Sequence, residues 1–181
     1  NEGLFLEGTS SLVMDRINRI AYMGISARSD LKLAEIWSEK NDFKLIPFET
    51  SSHTGGPIYH SDVMMYIGTE LAVVCEDAIT SGKNNVIESL GKTHELMFIS
   101  HSQLLNFCGN CIEVKDDQNR LCLVMSSKAI AGYDDSQKKV LNHFSKKIIN
   151  NNQLIIDLEE TTNNLFTFTK FFKSFIKDGG R

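Results

Sequence analysis

The chain reads Val63-Met64-Met65-Tyr66-Ile67-Gly68-Thr69-Glu70-Leu71-Ala72-Val73-Val74-Cys75 near its middle, where two apolar runs flank a short turn. Runs rich in β-branched and aromatic residues, bounded by glycine and polar residues, predict the two strands of a β-hairpin. A helix over Asn84 to Leu90 and a strand over Glu95 to Ile99 are predicted to follow. The sequence therefore predicts one ββαβ unit over residues 62–100.

The same order of hairpin, helix and strand is predicted on both sides of this unit. Upstream, residues 10–50 contain three predicted strands and one helix: Ser11 to Asp15, Ile20 to Gly24, Phe43 to Phe48 and the helix Leu31 to Lys40. Asp30 is the candidate N-cap of that helix. Pro47 predicts that its strand lies at a sheet edge or ends there.

Downstream, residues 110–158 contain the third set of predicted elements: strands Cys111 to Val114, Leu121 to Met125 and Gln153 to Leu158, and a helix that Asp134 or Asp135 caps and that runs to about Ile148. Three units in the same order favour a repeat architecture over an alternating βαβ fold. Such units leave open sheet edges unless further material closes a ring.

The bulk composition bounds the class of protein. The 181 residues are 41% hydrophobic, which is enough for one core. A net charge of -4 with dispersed Lys and Arg argues against nucleic acid as a partner. No apolar run reaches the roughly 20 residues that span a bilayer, and Asn1-Glu2-Gly3 shows no secretory signal. Four cysteines in such a chain favour free thiols, so we expect a cytoplasmic protein.

A candidate site precedes the central hairpin. The turn Gly55-Gly56-Pro57 leads to His60 and Asp62, which are two residues apart and are predicted to share one face of a strand start. Loops of this kind often carry site chemistry. His60 is a candidate acid and base, and Asp62 either tunes it or binds a substrate. The alternative is a hydrogen-bonded structural histidine at a strand edge.

Four segments, in order along the chain, resemble the arginine deiminase-like amidinotransferase superfamily: Leu6 to Arg16, Ser26-Ala27-Arg28, Tyr59 to Met65 and Asn106 to Asn110. The branch that looks nearest is that of the citrulline-utilisation hydrolases. The resemblance covers residues 3–158 and implies a pentein-type α/β propeller with five ββαβ blades and an active site on its axis. Three blades would be visible here, and the chain would be incomplete at both ends.

The resemblance implies hydrolysis of a C–N bond in a guanidino or ureido amino acid, with arginine or citrulline as the substrate. In that family a cysteine thiolate forms a thiouronium-type intermediate while a histidine moves protons. By resemblance, Glu7 binds the guanidinium, His60 is the acid and base, and Arg28 reads the substrate carboxylate, with Asp62 and Asn110 supporting the site. No metal or organic cofactor is implied.

Each of these residues also has a simpler interpretation. Glu7 is equally typical of a solvated turn residue before a strand. Arg28 is suited to pairing with Asp30 or another nearby acid on the surface. Asn110 is typical of a turn asparagine. The occurrence of all of them in the family's order is what favours a functional site.

The cysteine that the family uses as its nucleophile is not evident. Cys75 and Cys122 lie in apolar strands and read as buried hydrophobic residues. Cys108 and Cys111 have the spacing of half a zinc knuckle or of a redox pair, but no second pair completes a metal site. The chain is therefore either part of a hydrolase or amidinotransferase, an inactive guanidinium-binding module, or an inactive fragment.

The C-terminal residues depart from the family pattern. Residues 1–160 are interpreted as one catalytic domain and 161–181 as a divergent tail. Within the tail, phenylalanines at helical spacing predict a helix that faces a core or a partner, with an interfacial membrane helix as the alternative: Phe168, Phe171, Phe172 and Phe175. Gly179-Gly180-Arg181 is interpreted either as the start of the nucleophile segment or as unrelated sequence.

Overall fold

The computed structural model describes residues 3–150, which form three small sheets and the helices between them. The strands of the first sheet are β1 (Val13–Asp15), β2 (Ile20–Gly24), β3 (Lys44–Thr50) and β6 (Ile79–Ser81). Those of the second are β4 (Met65–Ile67), β5 (Leu71–Val74) and β7 (Glu95–Phe98). Those of the third are β8 (Cys111–Lys115), β9 (Leu121–Met125) and β10 (Lys147–Asn150).

Short helices connect these strands. The α-helices are α1 (Leu31–Asn41), α2 (Lys83–Leu90), α3 (His101–Leu104), α4 (Ser127–Gly132) and α5 (Asp135–Phe144). Three 3₁₀-helices are Gly8–Ser10, Ser61–Val63 and Glu76–Ala78. No helix among residues 3–150 is both long and apolar enough to cross a membrane.

All three sheets repeat one topology. An antiparallel hairpin comes first, namely β1–β2, β4–β5 and β8–β9. After a helical connection, the chain returns in parallel beside the second strand of the hairpin, as β3, β7 and β10 do. The mixed α/β class predicted from the sequence is confirmed, and the order within each unit is the predicted one.

Local capping explains where the longer helices begin. The Asp30 side chain accepts a hydrogen bond from Leu33 N at 3.0 Å and so caps α1 as predicted. At α5, the cap is Asp134 rather than Asp135, and Gln137 completes a capping box with it. In both helices, a backbone N–H of the first turn has no partner within the helix. The side chain of the capping aspartate accepts its hydrogen bond.

One sequence prediction about the extent of a helix is wrong. Helix α5 ends at Phe144 instead of continuing to Ile148, and Ser145 has an extended backbone. Ile148 has helical spacing from Phe144, but it pairs with Leu123 in the third sheet, because tertiary pairing overrides the short-range pattern. Within the described residues, β10 is the strand that returns beside β9. The predicted strand Gln153 to Leu158 lies outside the described residues.

The strand that contains Pro47 is not an edge strand, since β3 lies between β2 and β6. Its pairing with β6 begins only at Glu49 and Thr50, past the proline. Proline has no backbone N–H to donate, but at Pro47 no hydrogen bond to β6 is needed, because the pairing with β6 starts further along the strand.

The hydrophobic cores connect the sheets. The larger core takes fully buried side chains from all three sheets, for example Tyr22, Val73 and Leu123. A smaller core of Leu12, Ala21, Met23 and Ala34 lies beneath α1. Burial of this apolar surface fixes the sheets against one another, so that loops from different sheets meet in space.

Polar contacts also join neighbouring units. His94 Nε2 lies 3.1 Å from the Gly68 carbonyl oxygen and 4.0 Å from Asp15 Oδ2, and both side chains are buried. Between the second and third units, Thr69 N donates to Glu113 Oε1 at 3.0 Å. The buried pair His94 and Asp15 fixes the register between the first two units, because leaving buried polar groups unpaired is costly, whereas the Thr69–Glu113 bond is exposed.

Gly109 permits a close backbone approach between the second and third units. A Cβ atom at this position would lie 2.6 Å from the Met64 carbonyl carbon and 2.8 Å from the Val63 carbonyl oxygen. Both atoms belong to the backbone, so neither can move aside cheaply. Glycine is therefore required by packing at this junction.

We expect Gly109→Ala to lower the free energy of unfolding by about 1–3 kcal/mol, because the added methyl group overpacks a backbone contact. Urea denaturation of the variant and the parent measures the difference. Gly56→Ala is the matched control, since nothing lies within 4 Å of a Cβ built there. Equal stability of the two variants would contradict the packing argument.

Candidate active site

Three predicted site residues from distant parts of the sequence meet in one place. Glu7 precedes the 3₁₀-helix Gly8–Ser10, Arg28 lies between β2 and α1, and His60 precedes the 3₁₀-helix Ser61–Val63. Glu7 and His60 are 53 positions apart, yet Glu7 Oε2 lies 2.5 Å from His60 Nε2. Arg28 Nη1 lies 3.7 Å from the same oxygen.

The cluster is open to solvent on one side. The side chains of Glu7 and Arg28 are 39% and 54% exposed, whereas that of His60 is 20% exposed. The histidine thus lies at the base of the cluster, with the carboxylate and the guanidinium nearer the surface. A carboxylate hydrogen-bonded to an imidazole fixes the orientation of the ring, and acid–base chemistry requires an oriented ring.

Buried serine hydroxyls hold the loops that carry these groups. Ser11 Oγ accepts a hydrogen bond from Glu7 N at 3.0 Å and donates one to the Arg28 carbonyl oxygen at 3.0 Å. Ser29 Oγ donates to Ser11 Oγ at 2.8 Å. A single hydroxyl therefore ties the backbones of Glu7 and Arg28 together.

Ser61 extends this network to the histidine loop. Its Oγ donates to the Ser11 carbonyl oxygen at 3.1 Å and accepts from Gly24 N at 2.8 Å, and the residue is 1% exposed. Because Ser61 directly follows His60, these bonds place the histidine backbone against the loop of Glu7. The network joins the first unit to the second at the site itself.

Asp62 is placed differently from the prediction. It lies within the 3₁₀-helix Ser61–Val63, so His60 and Asp62 do not share one face of a strand. The helical turn forms because Met64 N donates to the Ser61 carbonyl oxygen, and β4 begins only at Met65. A period-two pattern cannot show such a turn, since it assumes an extended backbone.

The environment of Asp62 is unusual for a carboxylate. Its Oδ1 atom is buried without a hydrogen-bond partner among the described residues. Burial raises the pKa of the Asp62 carboxyl, while the positive charge that His60 can carry acts in the opposite direction. Asn110 Nδ2 donates to the Asp62 carbonyl oxygen at 3.0 Å, so the asparagine supports this turn from the third unit.

The simpler interpretations are only partly compatible with this geometry. Arg28 does pair with an acid, but the acid is Glu7, because Asp30 is used as the cap of α1. Glu7 is exposed, yet it contacts two site residues rather than solvent alone. The Asn110 side chain binds another site residue across units, and its backbone N–H also closes its own turn by donating to the Phe107 carbonyl oxygen.

The cysteines lie in environments that suppress reactivity. Cys75, Cys108 and Cys122 are buried, and Cys111 is partly buried. Burial raises the pKa of the Cys75 thiol, that of Cys108 to about 11 and that of Cys111 to about 12. Such thiols are protonated at neutral pH and are poor nucleophiles. Within residues 3–150, no group of three His, Cys, Asp or Glu side chains could hold a metal ion.

Sequence reasoning missed the serines that organise the site. Ser11 and Ser61 lie within the segments quoted for the family resemblance, but their partners are backbone atoms far along the chain. Tyr59 was also overlooked, although it directly precedes His60 and is 54% exposed. An exposed aromatic side chain next to a candidate catalytic histidine is the signal that could have identified it.

The sequence matches the family model of eukaryotic N,N dimethylarginine dimethylhydrolases over residues 1–159. The chain belongs to this family. Membership in the dimethylarginine dimethylhydrolase family confirms the resemblance to the guanidino-group-modifying superfamily, and the citrulline-utilisation branch is compatible with it. No curated protein matches the sequence.

Two solved structures share the fold of this family member. One is the N-terminal domain of ArgZ, an arginine dihydrolase from the ornithine-ammonia cycle in cyanobacteria, in a mutant form bound to substrate, with a TM-score of 0.66 and 18% identity. The other is a mutant of AgrE in complex with L-arginine, also with a TM-score of 0.66 and 18% identity. Each match covers 83% of this chain, but 51% of the ArgZ chain and 21% of the AgrE chain. The chain thus spans about half the length of the ArgZ domain, and the likeness shows a shared mixed α/β fold.

We expect Ser61→Ala to lower the free energy of unfolding by about 1–3 kcal/mol, because Gly24 N is then left buried without its acceptor. Ser102→Ala is the control, since Ser102 is an exposed serine whose hydroxyl bonds to that of Ser100 in the cap of α3. Urea denaturation gives both values. A Ser61 variant as stable as the control would show that the hydroxyl does not fix this junction.

Asp62 should make stability depend on pH. The raised pKa means that the folded state holds the proton more tightly than the unfolded state, so ionisation of Asp62 disfavours folding. We therefore expect Asp62→Asn to raise the free energy of unfolding at pH 7, with the gain disappearing as the pH falls to about 4. The exposed Asp117→Asn serves as the control. A gain that grows toward low pH would contradict the sign.

Proposed function

We propose that the chain carries the guanidinium-binding and proton-transfer groups of an enzyme that hydrolyses a guanidino C–N bond. The observation that carries the proposal is the contact between Glu7 and His60, with Arg28 beside the same carboxylate oxygen. Family membership supports it, because the family is named for hydrolysis of N,N-dimethylarginine.

The chemistry explains why these groups are needed together. A guanidinium carbon is a poor electrophile, since resonance spreads electron density over three nitrogens. In this proposal, Glu7 and the unpartnered Asp62 Oδ1 accept hydrogen bonds from guanidinium N–H groups and fix the carbon for attack. His60 donates a proton to the nitrogen that leaves and then takes one from the water that attacks the intermediate.

The proposal assigns the nucleophile to none of the four cysteines, because their thiols are buried or have raised pKa values. The complete reaction needs a thiolate that adds to the guanidinium carbon and is released when water replaces it.

We also propose that residues 1–160 form one catalytic domain. The three ββαβ units are then three of five blades around the site. The match covers only 51% of the ArgZ domain, which supports this proposal.

Arginine, its N-methylated forms and citrulline are the proposed substrates. The family name and the printed descriptions of ArgZ and AgrE name dimethylarginine and arginine. Arg28 is the proposed partner of the substrate carboxylate. The four cysteines form no disulfide among the described residues, which suits a reducing compartment, so we propose a cytoplasmic location.

A second candidate is a guanidinium-binding module without catalytic activity. The protonated, buried thiols favour it, because the chain keeps the binding carboxylates and the histidine without a reactive cysteine. An amidinotransferase shares the same covalent intermediate and differs only in that an amine replaces water. An assay for ammonia or ureido product, beside a binding measurement, distinguishes hydrolase from module.

Glu7→Gln should weaken arginine binding by about tenfold or more, because a charge-assisted hydrogen bond is replaced by a neutral one. Isothermal titration calorimetry of the full chain with arginine measures this, and the exposed Glu49→Gln is the matched control. His60→Ala should keep binding within a few fold and remove any ammonia release. Equal affinity for arginine in Glu7→Gln and Glu49→Gln would contradict the proposal.

A further inference from the structure

The exposed ring of Tyr59 lies at the candidate site, and the proposed function assigns it no role. Its side chain is 54% exposed, and its ring centroid lies 4.7 Å from that of His60, at an angle of 60°. The Arg28 guanidinium carbon lies 5.0 Å from the Tyr59 ring centroid. The ring therefore lines the same opening as the catalytic candidates.

The Arg28 guanidinium has two kinds of neighbour. On one side is the face of Tyr59, and on the other is Glu7 Oε2, which is 3.7 Å from Arg28 Nη1. An aromatic face together with a carboxylate is what a guanidinium ion requires, because the ring attracts the cation and the carboxylate pairs with it. A guanidinium group belonging to the chain itself thus occupies a site suited to a guanidino ligand.

The backbone reinforces this arrangement. Ser26 Oγ donates to the Tyr59 carbonyl oxygen at 2.9 Å and accepts from Arg28 N at 3.2 Å. One hydroxyl thereby links the backbones of the arginine and the tyrosine. The placement of the guanidinium at the ring is therefore held from the main chain as well as by the side-chain contacts.

We propose that Tyr59 is a specificity-determining residue whose ring forms one wall of the guanidinium site, and that Arg28 occupies this site until a ligand displaces it. The inference rests on the proposed function, because the same site would take the substrate. The arriving guanidinium replaces that of Arg28 on the ring and at Glu7. Arg28 is then free to pair with the carboxylate of the ligand.

This exchange predicts that the site binds a guanidino amino acid more tightly than a simple guanidine. Exposed cation–π contacts and exposed ion pairs are each weak, so replacing one guanidinium by another gains little. A ligand that also carries a carboxylate gives the displaced Arg28 a new partner. Arginine therefore binds more tightly than methylguanidine, which has the guanidinium alone.

The test compares methylguanidine with arginine by calorimetry on the full chain. Arg28→Ala removes the competitor, so methylguanidine should bind about threefold more tightly. Arginine should bind at least about tenfold more weakly to the same variant, because its carboxylate loses a partner. Opposite signs for the two ligands are the signature that a merely structural arginine would not give.

The role of the ring is tested in the Arg28→Ala background, where no resident guanidinium competes. Adding Tyr59→Leu should weaken methylguanidine binding about threefold, whereas Tyr59→Phe, which keeps the ring, should not. Phe98→Leu changes an exposed aromatic residue on β7 and serves as the control. In the ligand-free protein, the Nε–Hε resonance of Arg28 should show a ring-current shift that Tyr59→Leu removes and Tyr59→Phe retains.

The outcomes separate this inference from the proposed function. If arginine binds, Glu7→Gln weakens it, and methylguanidine affinity is unchanged by Arg28→Ala and by Tyr59→Leu, the role of Tyr59 is overturned while the proposed function stands. A loss of affinity for both ligands in Arg28→Ala also overturns it. If the wild-type chain binds no arginine, the proposed function itself has failed.

Discussion

The candidate site depends on the hydroxyl of one buried serine. Ser11 Oγ binds the backbones of Glu7 and Arg28 and accepts a bond from Ser29, and its own carbonyl oxygen receives the hydroxyl of Ser61. The bonds from Ser29 and Ser61 are buried, so breaking them would leave polar groups without water, whereas the bonds to Glu7 and Arg28 are partly buried. Apolar packing brings the first two units together, and the serine hydroxyls fix which loop atoms face one another.

The site is polarised between a buried half and an exposed half. Asp62 has a buried carboxyl oxygen without a partner and a raised pKa, whereas Glu7 is exposed and already paired. The two carboxylates therefore lie in different environments: one is buried with a raised pKa, and the other is exposed and contacts His60 and Arg28.

Local features of the fold could be predicted from the sequence, and long-range ones could not. Asp30 and the apolar stripe after it gave α1 because capping and helical periodicity involve neighbours in the chain. The position of β10 was missed because Ile148 fits a helical turn and a strand equally well, and only its pairing with Leu123 decides. In the site, the resemblance selected Glu7 and His60, which the structure brings into contact. The serines and Tyr59 act through partners that no short window of sequence contains.

The separation of 53 positions between Glu7 and His60 also has a thermodynamic consequence. Glu7 precedes the first ββαβ unit and His60 precedes the second, so the complete site exists only when the interface between these units is closed. A ligand that contacts both residues acts as a reversible cross-link across this interface. By mass action, it stabilises the joined units by an amount that grows with the logarithm of its concentration above its dissociation constant. The melting temperature of the chain therefore becomes a direct gauge of site occupancy, even where no chemistry follows binding.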